Sequence, residues 1–178
     1  METNNFRVDS AKSSIDWTGK KVTGAHNGTI DIESGTLILS DGKLSGGDFT
    51  IDVSTIKILD VTDTDLNAQF AGHLFSEDFF SIEQYPHASF AITSVTYLEN
   101  DNYKIVGNLT IKGITHPASF HAEVAISDQT VTAFGKIIVD RTKYDMKFRS
   151  GNFFTNLGDT LIYNEFELEV KLQASVTF

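Results

Sequence analysis

Five histidines have the widest chemical range in this chain, because imidazole can bind a metal ion or act as an acid or a base near neutral pH. They are His26, His73, His87, His116 and His121. No pair shows the His-x-x-x-His spacing of a helical zinc site, and none has carboxylates at a ligand-like spacing. The chain has no cysteine, which excludes disulfides, thiolate metal ligands and cysteine nucleophiles. We therefore expect neither a metal ion nor a cofactor.

Carboxylate pairs can serve as an acid and a base where a cleft raises the pKa of one of them. Glu165, Glu167 and Glu169 instead alternate along one predicted strand and share one face, which is typical of a solvent-exposed surface. The sequence has neither a Gly-x-Ser-x-Gly motif nor a phosphate-binding glycine loop. It therefore predicts a protein that is not an enzyme. An enzyme that uses residues 140–164, a loop rich in Gly, Asp and Asn, stays an alternative.

The elements that must position these residues follow a period of two, which is typical of strands with one buried face. The alternation begins at Phe6 and Val8 and runs to the end of the chain with one interruption. Turn signals at Ser34-Gly35 and Asp41-Gly42 predict a short strand between them, and Gly46-Gly47 is expected to precede the next strand. Later strands are predicted at 88–98, 103–112, 117–126, 130–140 and 163–176.

The segment from about residue 60 to Pro86 interrupts the alternation. A helix can begin at Asp63 or Thr64, and a second, short helix can begin at Ser76 and end before Pro86. The apolar face of these helices would comprise Leu66, Phe70, Leu74, Phe79, Phe80 and Ile82. The sequence thus predicts one domain over residues 1–178, with a helical cap at about residues 63–83.

The charge of the chain excludes one class of partner. Its formal net charge is −10, which repels a phosphate backbone, so we expect no nucleic-acid binding. No apolar run approaches the ~18 residues of a membrane-spanning helix. The first residues lack the basic and apolar parts of a signal peptide, so the expectation is either a cytoplasmic protein or an exported one whose signal was replaced by Met1.

Many antiparallel strands with one apolar face must close into a barrel or stack as a β-sandwich, since open edges promote aggregation. Periodicity leaves both architectures open. Four segments indicate a family: IDWTGKKVTGAHNG, HLFSEDFFSIEQYPHASF, GNLTIKGITHP and VDRTKYDMKF. In this order they resemble the signatures of the YceI-like family of bacterial lipid-binding proteins. The fourth segment departs from the commoner family form, which ends Asp-Phe-Gly.

The resemblance implies an all-β fold, a lipocalin-like antiparallel barrel of about eight strands with a short helical cap. It also implies that the barrel encloses and carries a long apolar chain, of the polyisoprenoid, isoprenoid quinone or fatty-acyl type. The chain's 14 phenylalanines could simply pack a core, and the resemblance implies instead that inward-facing ones help to line a cavity. The predicted wall residues are Trp17, Phe49, Ile51, Phe90, Ile92, Leu109, Ile111, Phe120, Phe166 and Leu168, closed at one end by Phe70, Leu74, Phe79 and Phe80.

His73 and Arg141 match the family motifs and are the two candidates for contact with the head of a lipid. Either could contact a polar headgroup, Arg141 because a guanidinium is well suited to an oxyanion. The alternatives are that His73 bridges the cap to the barrel and that Arg141 forms a structural salt bridge with Asp140. The resemblance further implies a periplasmic location, with the cytoplasm as the alternative, and a homodimer. The competing functional hypothesis is a β-sandwich with a solid core that binds a protein partner.

Overall fold

The computed structural model describes residues 3–22, 24–147 and 162–176 of the chain. In these ranges the chain forms nine strands and one α-helix. The strands are β1 (Thr3–Val8), β2 (Ser14–Lys21), β3 (Gly24–Ser40), β4 (Lys43–Ile58), β5 (His87–Tyr97), β6 (Asn102–Ile111), β7 (Ile114–Ile126), β8 (Thr130–Asp140) and β9 (Ile162–Val176). The helix, α1, is Thr64–Phe75, and two short 3-10 helices lie at Ser10–Lys12 and Arg141–Tyr144.

The sheet closes into a barrel because β3 pairs with β2 on one side and with β4 on the other. Around the ring the order is β3-β2-β9-β8-β7-β6-β5-β4, and every pair is antiparallel. β1 and β2 share one position between β3 and β9, β1 at one end of the barrel and β2 at the other. Nine strands therefore occupy eight positions, which confirms the predicted barrel and shows that the β-sandwich alternative is wrong.

Helix α1 forms where the sequence predicts it. The Asp63 side chain caps it by accepting a hydrogen bond from the Leu66 amide, at 3.0 Å. The second predicted helix is wrong, because residues 76–85 form turns. Ser76 ends α1 instead of beginning a helix: its hydroxyl donates to the His73 carbonyl at 2.6 Å, and Ser81 adopts a left-handed conformation with φ of 49°.

Two predictions of strand boundaries in the first half of the chain are also wrong. Ser34-Gly35 lies inside the 17-residue strand β3, and Gly46-Gly47 lies inside β4. At both places the β3–β4 register shifts or the backbone bends, and Gly47 has φ of 143°. A glycine in a long strand can mark a bulge that bends the strand around a barrel, and local sequence does not distinguish this from a turn.

The interior has a packed half and a hollow half. The packed half lies at the end that contains β1, where side chains such as Phe6, Leu37, Tyr103, Val124 and Val131 are buried. The hollow half lies under α1 and the turns of residues 76–85, called the cap below. Among the described residues, no helix has the length and apolar character needed to cross a membrane.

Candidate functional site

A cavity of about 780 Å³ fills the hollow half of the barrel. Its wall comes from β2, β3, β4, β5, β6 and β9, and the cap covers it with side chains of α1 together with Phe79 and Phe80. This volume falls within the ~300–1,000 Å³ of typical small-molecule sites, which are mostly apolar with a few polar groups. The site can therefore take an apolar molecule of substantial size.

Most of the wall residues expected from the sequence lie on this cavity. Ten of the fourteen are Trp17, Ile51, Phe70, Leu74, Phe79, Phe80, Leu109, Ile111, Phe166 and Leu168. Alternation identifies the six strand residues because every second residue of a barrel strand points inward, and the apolar face of the cap identifies Phe70, Leu74, Phe79 and Phe80. Their contact with a ligand stays a prediction.

The other four expected residues, Phe49, Phe90, Ile92 and Phe120, are not on the cavity wall. Phe49, Phe90 and Phe120 point inward but lie deeper, in the packed half of the barrel. Ile92 adjoins a register shift between β5 and β6 and packs only partly buried against the core. Alternation shows which face a side chain is on, but it contains no information about depth along the barrel.

Several wall residues were not expected from the sequence. The apolar ones are Ile30, Val53, Ile56, Val61, Leu66, Ala88, Met146 and Ile162, and the polar ones are Lys20, Lys21, His26, Gln69, Tyr163 and Glu165. Strand alternation could have found Ile30 and Val53. The polar residues carry no sequence signal, since only the folded barrel brings the ends of β2, β3 and β9 beside α1.

Trp17 is the single tryptophan of the chain and lies on the cavity wall. Its indole N–H donates to the Thr29 carbonyl at 3.3 Å. Its ring covers Gly28 so closely that a Cβ there would lie 2.7 Å from the ring. The indole is thus held in one orientation against the cavity, where its fluorescence can report the binding of a ligand.

Arg141 is 4% exposed and lies on the cavity wall. Its guanidinium donates to the carbonyls of Tyr163 and Ile162, both at 3.0 Å, and to that of Met146. Burial lowers the pKa of Arg141 to about 10, partly opposed by the nearby Asp140 charge. The side chain therefore stays positively charged at neutral pH while it holds the backbone at both ends of the 148–161 segment.

The expected salt bridge between Arg141 and Asp140 is absent from the ion pairs of the described residues. Asp140 instead caps the following 3-10 helix, accepting from the amide and the hydroxyl of Thr142 at 3.0 and 2.6 Å. Arg141 does fix the chain after β8, as the structural alternative held, but through carbonyl groups.

Two histidines contact residues of the cap, and both lie on the cavity wall. His73, near the end of α1, has Nε2 3.0 Å from Oδ2 of Asp78 and packs edge-on against Phe79. His26 of β3 has Nδ1 2.8 Å from Oδ2 of Asp60 and packs edge-on against Phe70 of α1, with ring centroids 4.7 Å apart. These contacts of His73 join α1 to the turns of the cap, so its bridging to the barrel and its contact with a headgroup both stay predictions.

Lys112, which sequence analysis did not single out, joins the cap to the chain that follows β8 through hydrogen bonds. Its ammonium is 6% exposed and donates to the carbonyls of Glu77 and Asp145, both at 2.9 Å. Glu77 belongs to the cap and Asp145 follows the 3-10 helix after β8. Lys112 and Arg141 together fix the covering segments by satisfying buried carbonyl groups.

The described ranges contain no metal-binding group of side chains. No group of three or more His, Asp or Glu side chains there could hold a metal ion. Glu167 and Glu169 of β9 lie near Lys136, with nitrogen–oxygen distances of 3.7 Å and 3.9 Å. The loop expected at residues 140–164 lies mostly outside the described residues.

Residues 6–174, nearly the whole barrel, match the YceI-like domain family. The chain belongs to this family. A UPF0312 protein of Staphylococcus aureus is 28% identical over 182 residues, covering 97% of this chain and 98% of that protein. A UPF0312 protein of Photorhabdus laumondii is 41% identical over 70 residues, but the match covers only 35% of that protein, and the match to the YceI protein of Salmonella newport covers 48% of it.

Solved structures of low sequence identity show the same YceI-like fold. BcnA of Burkholderia cenocepacia has a TM-score of 0.71 at 21% identity, covering 94% of this chain and 99% of BcnA. A domain of Saccharophagus degradans described as polyisoprenoid-binding has a TM-score of 0.70 at 12% identity, covering 97% of this chain and 98% of that domain. These likenesses establish the fold and leave the ligand of this chain to be argued from its own cavity.

Proposed function

We propose that this YceI-like protein binds and carries a long apolar lipid, of the polyisoprenoid, isoprenoid quinone or fatty-acyl type, without a chemical step. The observation that supports the proposal most is the cavity of about 780 Å³ inside the barrel, with an apolar wall and a cap of aromatic and aliphatic side chains. The description of the Saccharophagus neighbour as polyisoprenoid-binding agrees with it.

Burial of hydrocarbon alone supplies enough free energy for tight binding. At ~0.8 kcal/mol per buried methylene, a chain of ~20 carbons gains ~16 kcal/mol before costs. Loss of translational and rotational freedom and ordering of the chain cost about 4–15 kcal/mol. The gain exceeds the cost over the whole of this range, so binding needs no charged contact.

The proposed orientation places the chain in the barrel and its polar head beside Arg141 and His73. The hydrogen bonds described for the Arg141 guanidinium all go to neutral carbonyls. None of these bonds neutralises its positive charge. An electron-rich oxygen, such as that of a quinone, a phenol or a carboxylate, would be a charge-assisted acceptor for its N–H groups. Export to the periplasm and homodimer formation stay proposals from the family resemblance.

Two measurements test the proposal. Organic extraction of the purified protein followed by mass spectrometry should yield a stoichiometric lipid. If the protein is purified empty, titration with geranylgeraniol should change the fluorescence of Trp17, since that indole lies on the cavity wall.

A matched pair of variants localises the binding. Ala88→Phe adds a ring to the cavity wall and should weaken geranylgeraniol binding by about tenfold or more, a loss of ~1.4 kcal/mol. Ala91→Phe makes the same change on the exposed face of the same strand and should leave binding unchanged. An empty extract together with no Trp17 response to geranylgeraniol or palmitate would refute the lipid-binding proposal.

A further inference from the structure

Three phenylalanine rings lie deeper in the barrel than the residues that line the cavity. Phe49, Phe90 and Phe120, called the phenylalanine floor below, lie side by side across the barrel interior. The ring centroid of Phe90 is 5.6 Å from that of Phe49 and 5.6 Å from that of Phe120. Phe90 is the central ring and is 1% exposed.

Strand register places the floor directly beneath the cavity wall. Ile51 of β4 is opposite Ala88 of β5, and both line the cavity. One inward step deeper along the same strands, Phe49 is opposite Phe90. Phe90 is also opposite Leu109 of β6, which still lines the cavity. The Phe49–Phe90 pair therefore lies one inward step below residues that line the cavity.

Two glycines allow the rings to lie across neighbouring strands. A Cβ at Gly107 of β6 would be 2.5 Å from the Phe90 ring, and a Cβ at Gly135 of β8 would be 2.8 Å from the Phe120 ring. Each ring thus occupies the space of a missing side chain on another strand. Aromatic rings packed over strand glycines are a recognised means of stabilising a curved sheet. The rings cannot lie closer to these strands, so their positions across the interior are fixed.

We infer that the phenylalanine floor sets the length of the hydrocarbon chain that the cavity accepts, with Phe90 as the main determinant. The inference rests on the proposed lipid-binding function. A chain that enters tail-first gains affinity with each carbon until its terminal methyl group reaches Phe90. Additional carbons must remain at the polar end of the cavity or outside it, where they contribute little. Affinity should therefore rise with chain length and then level off.

The test measures binding of geraniol, farnesol, geranylgeraniol and solanesol by the fluorescence of Trp17. For the unmodified protein, each added isoprene unit should raise affinity by about tenfold or more while it is buried, and the gain should stop within the series. Phe90→Ala removes the central ring and leaves an apolar space. Such spaces stay dry and accept apolar groups, so the levelling-off should move to a longer prenol.

Two further variants make the result specific. Phe134→Ala removes a ring from the outer surface of β8, where Phe134 is 41% exposed, and should leave the length profile unchanged. Ala88→Leu adds volume on the wall above Phe90 and should move the levelling-off to a shorter prenol. Because it removes no core ring, Ala88→Leu also tests the inference if Phe90→Ala does not fold.

The outcomes separate this inference from the proposed function. If the unmodified protein binds prenols but gains affinity up to solanesol without levelling off, the floor does not limit length and the inference is wrong. The same conclusion follows if the levelling-off occurs at the same prenol in Phe90→Ala, in Ala88→Leu and in the unmodified protein. If the unmodified protein binds none of the prenols and no palmitate, the lipid-binding function itself is refuted, and the inference with it.

Discussion

Replacement of Arg141 by methionine should strongly destabilise the fold. The side chain is 4% exposed and donates to three backbone carbonyls, of Met146, Ile162 and Tyr163. A hydrogen bond from a charged group contributes about 1.5–3 kcal/mol, so three of them contribute ~6 kcal/mol. Methionine also removes the cost of burying a charge, which is ~3 kcal/mol for a pKa lowered from 12.5 to about 10. The lost hydrogen bonds outweigh this relief, and the net loss should be about 3 kcal/mol.

Urea denaturation followed by the fluorescence of Trp17 measures this loss. With a slope of about 1–3 kcal/mol per molar urea, the midpoint should fall by roughly 1–3 M at an unchanged slope. Arg141→Lys should recover part of the stability, because an ammonium group keeps the charge but lacks the planar fork that reaches three carbonyls. Arg7→Met is the matched control, since Arg7 is exposed on β1 and should change the midpoint little.

The result that would refute this reasoning is an Arg141→Met midpoint that coincides with that of Arg7→Met. Such a result would mean that the three carbonyls find other donors, for example water, when the guanidinium is removed. The Arg141 hydrogen bonds would then contribute nothing to the stability of the region that covers the cavity.

Three further predictions concern single positions. Gly72→Ala should stabilise the protein by about 0.5–1 kcal/mol, because Gly72 is helical and a Cβ there meets nothing within 4 Å. Gly107→Ala should instead cost about 1–3 kcal/mol, because its Cβ would lie 2.5 Å from the Phe90 ring. Opposite shifts in melting temperature check the pair, and shifts of the same sign contradict it. Burial raises the pKa of Asp60, but hydrogen bonds from a backbone amide and from His26 bring it below 3.8 overall. Asp60 therefore contributes stability above about pH 3.8, and this contribution is lost as the pH falls through its lower folded-state pKa. Asp60→Asn should weaken the pH dependence of the urea midpoint between these two pKa values.

Sequence predicts the strands and the cap helix well because both depend on local patterns. Alternation locates the later strands to within three residues at each end, and β8 (Thr130–Asp140) is predicted without error. Asp63 and the spacing of Leu66, Phe70 and Leu74 predict α1. The errors occur where a local signal has two structural solutions. Ser34-Gly35 can form a turn or a bulge, and Ser76 can begin a helix or end one.

The candidate site shows the same division. Local alternation identifies six wall residues on strands, but it places Phe90 on the wall because it cannot show how deep along the barrel a residue lies. The role of Arg141 depends on three carbonyls, two of which are more than 20 residues away in sequence. The role of Lys112 depends on carbonyls 35 and 33 residues away.

The sequence by itself determined the period of two, the interruption that becomes the cap, and the motifs that mark the YceI-like family. Only the tertiary structure decided that the barrel is hollow at one end and packed at the other. The physical reason is that the interior at a given depth is filled by side chains from all eight strand positions of the barrel. Whether it is packed or open therefore depends on their combined volume. At the depth of Phe90, the rings of Phe49, Phe90 and Phe120 fill the interior over glycines of other strands. One step closer to the cap, Ala88 contributes a single methyl group, and the space remains open.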